Sequence, residues 1–170
     1  GTDEVFENFI KFLSSTSPEI RELAIEGLRL MQRPEGIENI QGVLNDPNWR
    51  VRKAAINALS QFNGESIIES LINAMSDENE HVRLAAVQSM ARFSGEKVVK
   101  SIIAALNDRD IWVRFQVAET LGIMREKSAI DSLIKKLNDD DPVKIAAAKA
   151  LGEIGDRGAL GALELLKKNS

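Results

Sequence analysis

A step of Asn or Ser followed by Asp recurs along the chain, and this repeat constrains the fold more than any other feature. Asp46, Asp77, Asp108 and Asp139 are separated by 31 residues each time. Self-similarity at a period of roughly 20 to 50 residues is typical of repeat proteins, in which each copy buries its apolar face against its neighbours. The sequence therefore predicts a stack of similar units.

A Val-Arg pair follows five residues after each of the first three aspartates and opens an Ala-rich helix, called B. The pairs are Val51-Arg52, Val82-Arg83 and Val113-Arg114, with Ile20-Arg21 and Val143-Lys144 in the corresponding places of the first and last copies. Alanine and leucine are strong helix formers. The continuation of each pair, such as Ala54, Ala55, Ala58 and Leu59, therefore predicts a close-packed helix.

A second helix in each copy, called A, carries apolar residues at i, i+1, i+4, i+5 and i+8, the stripe of an amphipathic helix. Ile67, Ile68, Leu71, Ile72 and Met75 show this stripe, and Val5, Phe6, Phe9, Ile10 and Leu13 show it in the first copy. Short turns with glycine, such as Asn63-Gly64-Glu65, separate the helices.

We expect a single domain over residues 1–170. The copies are expected over about 4–33, 34–64, 65–95, 96–126 and 127–155, followed by a lone A-type helix near 157–168. In that last helix Glu164 and Lys167 replace the Ile and Leu of earlier copies. A terminal repeat needs a polar outer face, so this helix is interpreted as a C-terminal cap.

Composition narrows the class of protein. The chain has 44% apolar and 28% charged residues, which predicts a folded chain, and no cysteine, which excludes a disulfide framework. The net charge of −4 is the opposite of the basic footprint of a nucleic-acid-binding protein, which argues against nucleic acid as a ligand. No apolar run approaches the roughly 20 residues that cross a membrane. We expect a soluble, cytoplasmic protein without a membrane partner.

The pattern of Asp, Val-Arg and Ala-rich helix with a glycine turn resembles the HEAT-like repeats first noted in phycobilin lyases. This resemblance covers nearly the whole chain. It implies an all-α, right-handed superhelical solenoid of about five helix pairs plus the terminal helix. It also implies a hydrogen-bonded ladder along the stack, formed by Asp46, Asp77 and Asp108 with Arg52, Arg83 and Arg114. Ser15 in place of Asp, and Lys144 in place of Arg, depart from the pattern in the first and last copies.

The residues offer little chemistry for catalysis. Di-iron deoxyhypusine hydroxylases use similar repeats with several His-Glu pairs, whereas this chain has one histidine, His81. Zinc sites need His and Cys at short spacing, and nucleophilic catalysis needs a nucleophile motif. The carboxylates Asp139, Asp140 and Asp141 lack the spacing of an EF-hand loop. We therefore expect no catalytic residue, no metal and no cofactor, and interpret His81 as a surface histidine.

The surface expected to bind a partner is the concave face lined by B helices. Aligned positions before and after the Val-Arg pair define its exposed columns, and aromatic and aliphatic residues concentrate in the third and fourth copies. The candidate residues are Arg50, Lys53, His81, Leu84, Gln88, Arg92, Trp112, Phe115 and Glu119. Trp112 and Phe115 either anchor a partner or seal the packing between copies. Trp49 is expected to pack.

The sequence favours a non-enzymatic scaffold or adaptor that holds a protein or peptide in this groove. The alternatives that the resemblance implies are a phycobilin-lyase-like subunit that handles a chromophore and, less favoured by the net charge, a HEAT-like protein that binds nucleic acid. Partner identity and oligomeric state have no signal in the sequence.

Overall fold

The computed structural model describes residues 1–155 and Gly161, and every regular element within them is helical. This confirms the predicted all-α class. Ten α-helices lie within residues 1–155: α1 Thr2–Phe12, α2 Pro18–Met31, α3 Ile37–Gly42, α4 Trp49–Leu59, α5 Glu65–Ala74, α6 Glu80–Met90, α7 Glu96–Ala104, α8 Ile111–Ile123, α9 Ile130–Lys136 and α10 Asp141–Ile154. The predicted terminal helix near 157–168, which contains Glu164 and Lys167, lies outside the described residues except for Gly161.

The even-numbered helices are the predicted B helices, and most of them begin at a polar side chain that caps the first turn. The Ser17 hydroxyl accepts a hydrogen bond from the Ile20 amide (3.3 Å), and α2 starts at Pro18. Asn48, one residue beyond Pro47, caps α4 by accepting from the Arg50 amide (2.9 Å). These bonds satisfy amide groups that the helix itself leaves without a partner.

The odd-numbered helices are the predicted A helices, and three of them adjoin a 3₁₀ turn, which follows α7 at Ala105–Asn107. The turn Pro34–Gly36 precedes α3, and Lys127–Ala129 precedes α9. Gly64 and Gly95, just ahead of α5 and α7, have φ of 148° and 118°. Only glycine adopts this backbone region readily, which explains the glycine in those predicted turns.

The chain contains two compact units, and the first comprises Gly1–Ser89. Within it, α2 packs against both α1 and α4, and α3 packs against α4. A Cβ atom added to Gly27 would overlap the ring of Phe9, so glycine lets α1 approach α2 closely. Its core is aliphatic: Ile25, Leu28, Ile40, Ile56, Leu59, Ile67 and Leu71 are each at most 1% exposed.

The second unit begins at Met90, and α8 and α10 form its most extensive helix pair. A Cβ atom on Gly122 would lie 2.9 Å from the Ala150 Cα, so these two helices also meet across a glycine. Val117, Leu121, Leu133, Ala147 and Leu151 are buried in this unit. Ridges of small and aliphatic residues thus place α8 and α10 side by side, with one face of each left to solvent.

Candidate functional site

Buried arginines join successive copies within each unit. In the first unit, Arg52 donates from Nε and Nη2 to the two carboxylate oxygens of Asp77, at 2.8 Å each. In the second, Arg114 donates from Nη2 to Asp139 Oδ1 at 2.8 Å and from Nε to Oδ2 at 3.1 Å. Such forked pairs are shorter and stronger than neutral hydrogen bonds. Each of these two rungs pairs an arginine with the aspartate 25 residues further along the chain.

Each of these arginines pairs with the aspartate of the following copy, so the arginine of the first copy needs no aspartate at position 15, where the chain has Ser15. Arg21 pairs with Asp46 (2.6 and 2.7 Å) and donates from Nη1 to the Ser15 carbonyl at 2.8 Å. The predicted ladder of Asp46, Asp77 and Asp108 with Arg52, Arg83 and Arg114 omitted Arg21 and Asp139, which form its first and last rungs among the described residues. The 25-residue offset between Arg21 and Asp46 was visible in the sequence, but only the structure shows which aspartate each arginine reaches.

The remaining ladder candidates lie at equivalent places. Arg83 donates from Nη1 to the Asp77 carbonyl at 2.9 Å, as Arg52 does to the Asp46 carbonyl at 2.8 Å. Asp108 accepts the Asp110 amide at 2.8 Å. The guanidinium of each arginine therefore also closes the turn ahead of its own helix.

The ladder carboxylates are held in the ionised form. Burial would raise the pKa of Asp139, but hydrogen bonds from Arg114, the Asp140 amide and Lys136 outweigh burial and lower that pKa to about 2. The pKa values of Asp46 and Asp77 are lowered in the same way, against burial, by their arginines and by the amides of Asn48 and Asn79. Each of Arg21, Arg52 and Arg114 is therefore paired with an ionised aspartate that links one copy to the next.

In the first unit, the candidate surface residues lie on α4 and α6. Trp49 is half-buried, and its ring stacks on His81 with centroids 4.8 Å apart and planes 30° apart. The Arg50 guanidinium lies 5.4 Å from the Trp49 ring centroid. Lys53 and Leu84 are half-buried, and Gln88 is exposed. Trp49 therefore packs against His81 within the first unit.

In the second unit, Arg92, Trp112, Phe115 and Glu119 are the candidates. Arg92 precedes α7 and lies 5.3 Å from the Phe93 ring. Trp112 is 58% exposed, and its ring meets half-buried Phe115 edge-to-face, with centroids 5.9 Å apart. Glu119 bonds Lys149 of α10 at 3.3 Å. Trp112 faces solvent, which fits the interpretation that it anchors a partner. Phe115 is half-buried and packs against the Trp112 ring, which fits the interpretation that it contributes to packing.

Two exposed aliphatic residues extend this surface beyond the sequence-based set. Ile123 on α8 is 69% exposed, and Ile145 on α10 is 66% exposed. Trp112, Phe115, Glu119 and Ile123 are spaced i, i+3, i+7 and i+11, which puts them on one face of a helix. We call Trp112, Phe115, Ile123 and Ile145 the α8–α10 patch. The stripe spacing could have identified Ile123 from the sequence.

Helix α8 shows why the patch is unusual. Its other side, with Val113, Val117 and Leu121, is at most 1% exposed. A helix that is apolar all round is normally buried all round. In α8 the face with Val113, Val117 and Leu121 packs against the rest of the unit, whereas the face with Trp112 and Ile123 is exposed to solvent. Folding of the unit therefore leaves part of the apolar surface of α8 uncovered.

A cleft of about 420 Å³ in the first unit is lined by ladder and A-helix residues, including Arg52, Asp77, Gln41 and Ser70. Its polar groups already bond one another: the Gln41 amide donates to the Ser70 hydroxyl at 3.0 Å, and Arg52 bonds Asp77. Among residues 1–155, no group of three or more His, Asp or Glu side chains is arranged to hold a metal ion. No helix in that part of the chain is long and apolar enough to cross a bilayer.

Comparison with protein families matches this architecture to a known repeat. The model of HEAT repeats matches residues 6–72 and 68–152. The chain belongs to the HEAT repeat family. A second model, the PBS lyase HEAT-like repeat, matches residues 143–169. The resemblance inferred from the Asp and Val-Arg pattern is therefore confirmed, and the HEAT helix pairs form a repeat scaffold.

Solved structures with this HEAT architecture include proteins of different roles. YibA of Escherichia coli is 24% identical with a TM-score of 0.78, over 99% of this chain and 63% of YibA. The complex of CpcE and CpcF of phycocyanin lyase from Nostoc is 22% identical with a TM-score of 0.71, over 96% of this chain and 69% of the matched chain. Human deoxyhypusine hydroxylase is 22% identical with a TM-score of 0.53, over 96% and 67%. A search of the curated proteins finds no match.

Proposed function

We propose that this HEAT-repeat chain is a scaffold that binds a protein or peptide segment on its B helices, with the α8–α10 patch as the anchor. The observation that carries the proposal is the exposure of Trp112, Ile123 and Ile145, each more than half open to solvent on two adjoining helices. Tryptophan is one of the residues that most often carry the binding energy of a protein interface. An exposed cluster of large apolar residues on a helix pair favours binding of another protein at that surface.

The shape of the patch fits an elongated ligand. Trp112 and Ile123 are eleven residues apart, which is about 16 Å along a helix that rises about 1.5 Å per residue. Ile145 lies on the neighbouring helix, beside the Glu119–Lys149 ion pair. An apolar surface with a polar pair next to it suits a segment that presents two or three apolar side chains, such as an amphipathic helix. The ion pair would set the register of the bound segment.

Selection from a displayed peptide library on the immobilised protein tests the proposal without knowledge of the natural partner. Selected peptides should bind the wild-type chain and lose at least tenfold in affinity when Trp112→Ala or Ile145→Ser is introduced, because a buried anchor is worth on the order of 2 kcal/mol. Leu23→Ser is the matched control, since Leu23 is 68% exposed and lies on α2, in the other unit. The Trp49→Phe variant leaves Trp112 as the sole tryptophan, so its emission reports binding directly.

The proposal fails if the selected peptides bind Ile145→Ser and Trp112→Ala as tightly as wild type. It also fails if Leu23→Ser weakens binding as much as the patch variants do, since the patch would then have no special role. Circular dichroism on each variant separates lost binding from lost folding.

A second candidate function is a chromophore-handling subunit related to phycobilin lyases. The match of the PBS lyase HEAT-like repeat to residues 143–169 and the likeness to the phycocyanin lyase structure favour it. The test is titration of the protein with a free bilin, followed by absorption and fluorescence. A red-shifted, protein-dependent emission that Trp112→Ala abolishes would support this candidate, and an unchanged bilin spectrum would overturn it.

A further inference from the structure

The cleft in the first unit differs from the α8–α10 patch in both place and chemistry. Its volume of about 420 Å³ is within the roughly 300 to 1,000 Å³ of small-molecule sites. Such sites are usually lined by apolar side chains. Most side chains that line this cleft are polar, and the uncharged ones are Gln41, Asn45, Ser70, Asn73 and Ser76. The cleft is therefore suited to a polar ligand.

The position of Gln41 carries isoleucine in every other copy. Ile10, Ile72, Ile103 and Ile134 lie at multiples of 31 residues from it, in the apolar stripe of each A helix. All five residues are half-buried. A glutamine at this position gives up apolar surface that isoleucine would bury. The second copy has therefore lost packing at the place where the cleft is found.

The serine that Gln41 contacts does not explain the glutamine. Gln41 Nε2 donates to the Ser70 hydroxyl at 3.0 Å and to the Ser66 carbonyl at 3.2 Å. The Ser70 hydroxyl itself donates to the Ser66 carbonyl at 2.8 Å, and Ser101, one copy later, donates to the Lys97 carbonyl at 2.9 Å. Because Ser101 bonds its own helix at a position equivalent to Ser70, the serine needs no glutamine beside it.

The uncharged polar groups of the cleft can bind a ligand that both donates and accepts hydrogen bonds, because carboxamides and hydroxyls do both. Within the described chain, the bonds of the Gln41 side chain are both donated by its nitrogen, so its oxygen remains to accept from a ligand. Three further groups are exposed and accessible: Asn45, Asn73 and Ser76. These side chains offer donors and acceptors at several points of the cleft.

The charged groups of the cleft neutralise each other. Arg52 donates from Nε and Nη2 to the carboxylate of Asp77 at 2.8 Å, and its Nη1 donates to the Asp46 carbonyl at 2.8 Å. An ion that enters a site whose charges are already paired is desolvated without gaining a partner of opposite charge. The cleft therefore favours a neutral ligand over an anion or a cation.

We propose that this cleft binds a small, neutral, polyhydroxylated molecule of the sugar class. Every hydroxyl of a sugar donates and accepts, which matches the carboxamides and hydroxyls of the cleft. The C–H groups of a sugar ring match the apolar side chains that line the same cleft, Leu44, Ile56, Ala74 and Val82. Gln41 sets the specificity, since its amide oxygen is the acceptor that isoleucine lacks in the other copies.

Saturation-transfer NMR on the full chain, with glucose, galactose, mannose and N-acetylglucosamine as probes, tests the proposal. At least one probe should bind with a dissociation constant on the order of 1 mM or lower. Gln41→Ile, which introduces the residue of the other four copies, should weaken that binding about tenfold because a hydrogen bond is lost. It should keep or raise the Tm, because apolar packing is restored.

Two further variants locate the site. Asn73→Ala, at an exposed position of the cleft, should also weaken binding without unfolding the chain. Gln61→Ile is the matched control, since Gln61 is an exposed glutamine just after α4 that does not line the cleft, and it should leave binding unchanged. Glucuronate and glucosamine, the charged analogues, should bind more weakly than the neutral sugars.

The proposal is overturned if none of the four sugars binds, or if a sugar that binds is held as tightly by Gln41→Ile and Asn73→Ala as by the wild-type chain. It is also overturned if glucuronate or glucosamine binds more tightly than every neutral sugar, since the cleft would then recognise charge. Binding of a blocked neutral tripeptide in place of the sugars would make the cleft a peptide site. Trp112→Ala, in the other unit, should not change sugar binding, so this test is independent of the α8–α10 patch.

Discussion

Two columns of residues run through the same B helices, and they differ in how constant their chemistry is from copy to copy. From the second copy onward the first column is always valine and is at most 1% exposed: Val51, Val82, Val113 and Val143. The second, two residues later, changes from charged to apolar along the chain: Lys53, Leu84, Phe115 and Ile145. Positions that pack into the core must repeat because every copy solves the same packing problem. Positions that face solvent are free to vary, and the copies that place apolar residues there carry the patch that we propose as the binding surface.

The largest effect should come from breaking a ladder rung, which belongs to the constant part of the repeat. Arg52→Leu leaves the buried Asp77 carboxylate without its cation and is expected to lower the free energy of unfolding by about 3 kcal/mol. Urea denaturation followed by circular dichroism measures this. The double variant Arg52→Leu/Asp77→Leu should recover part of the loss, because no uncompensated charge then remains.

Arg29→Leu is the control for that prediction. Arg29 also makes two 2.7 Å bonds to a carboxylate, that of Glu26, but the pair is exposed on the surface of α2. Exposed pairs contribute little. If Arg29→Leu destabilised the protein as much as Arg52→Leu, burial would not be the reason that the ladder matters, and the contrast between the two columns would lose its physical basis.

The second prediction concerns the free energy of unfolding at acidic pH. The pKa of Asp139 is lowered to about 2 in the folded protein, against about 3.9 for an unperturbed aspartate, so its ionised form stabilises the fold above pH 4. That contribution should disappear as pH falls from about 4 to about 2, at a cost of about 1 to 2 kcal/mol. Denaturation curves for Asp139→Asn should show lower stability at pH 7 and a shallower loss across that window. Asp141→Asn should change the slope less, because the Lys144 hydrogen bond lowers the pKa of Asp141 as well but that pair is exposed and screened by solvent.

The ladder illustrates what the sequence could and could not predict. The 31-residue period and the helix pairs follow from spacing, since identical positions in every copy must have similar surroundings, whereas the ladder role of the charged residues came from the resemblance to HEAT-like repeats. The resemblance implied pairing between successive repeats, but the aspartate that each arginine reaches did not follow, because an exact period places an equivalent aspartate in the copy on either side. Only the offset between Arg21 and Asp46 in space decides it.

The candidate site was likewise predicted only in part from the sequence. The sequence identified Trp112 and Phe115 as residues of the B-helix surface but left open whether they pack or face solvent, because an aromatic residue near a helix start serves both purposes. It missed Ile123, which ends the same stripe of α8. It also left Ile145 out of the binding set, although Ile145 continues the column of Lys53, Leu84 and Phe115 and is 66% exposed.

A third prediction tests the link between the capped helix start and the patch. The Asp110 carboxylate accepts the amides of Trp112 (2.8 Å) and Val113 (3.1 Å) and so fixes the first turn of α8. Asp110→Ala should lower the free energy of unfolding by about 1 kcal/mol. Because Trp112 lies in that turn, peptide affinity should fall as well. Asp110→Asn, which keeps an accepting oxygen, should preserve both, and a loss of affinity without any loss of stability would show that Asp110 contacts the ligand itself.

The smallest effect on stability should come from the variable column. Ile145→Ser removes a side chain that is 66% exposed, so the free energy of unfolding should change by less than about 0.5 kcal/mol. The same variant is expected to weaken peptide binding at least tenfold, and this opposition between stability and affinity is what distinguishes a binding residue from a packing residue. Val143→Ser, two residues earlier in the constant column, should show the reverse, with a large loss of stability because a polar group enters the core. If Ile145→Ser proved as destabilising as Val143→Ser, the exposed column would be part of the fold, and the variation between copies would reflect local packing instead of recognition.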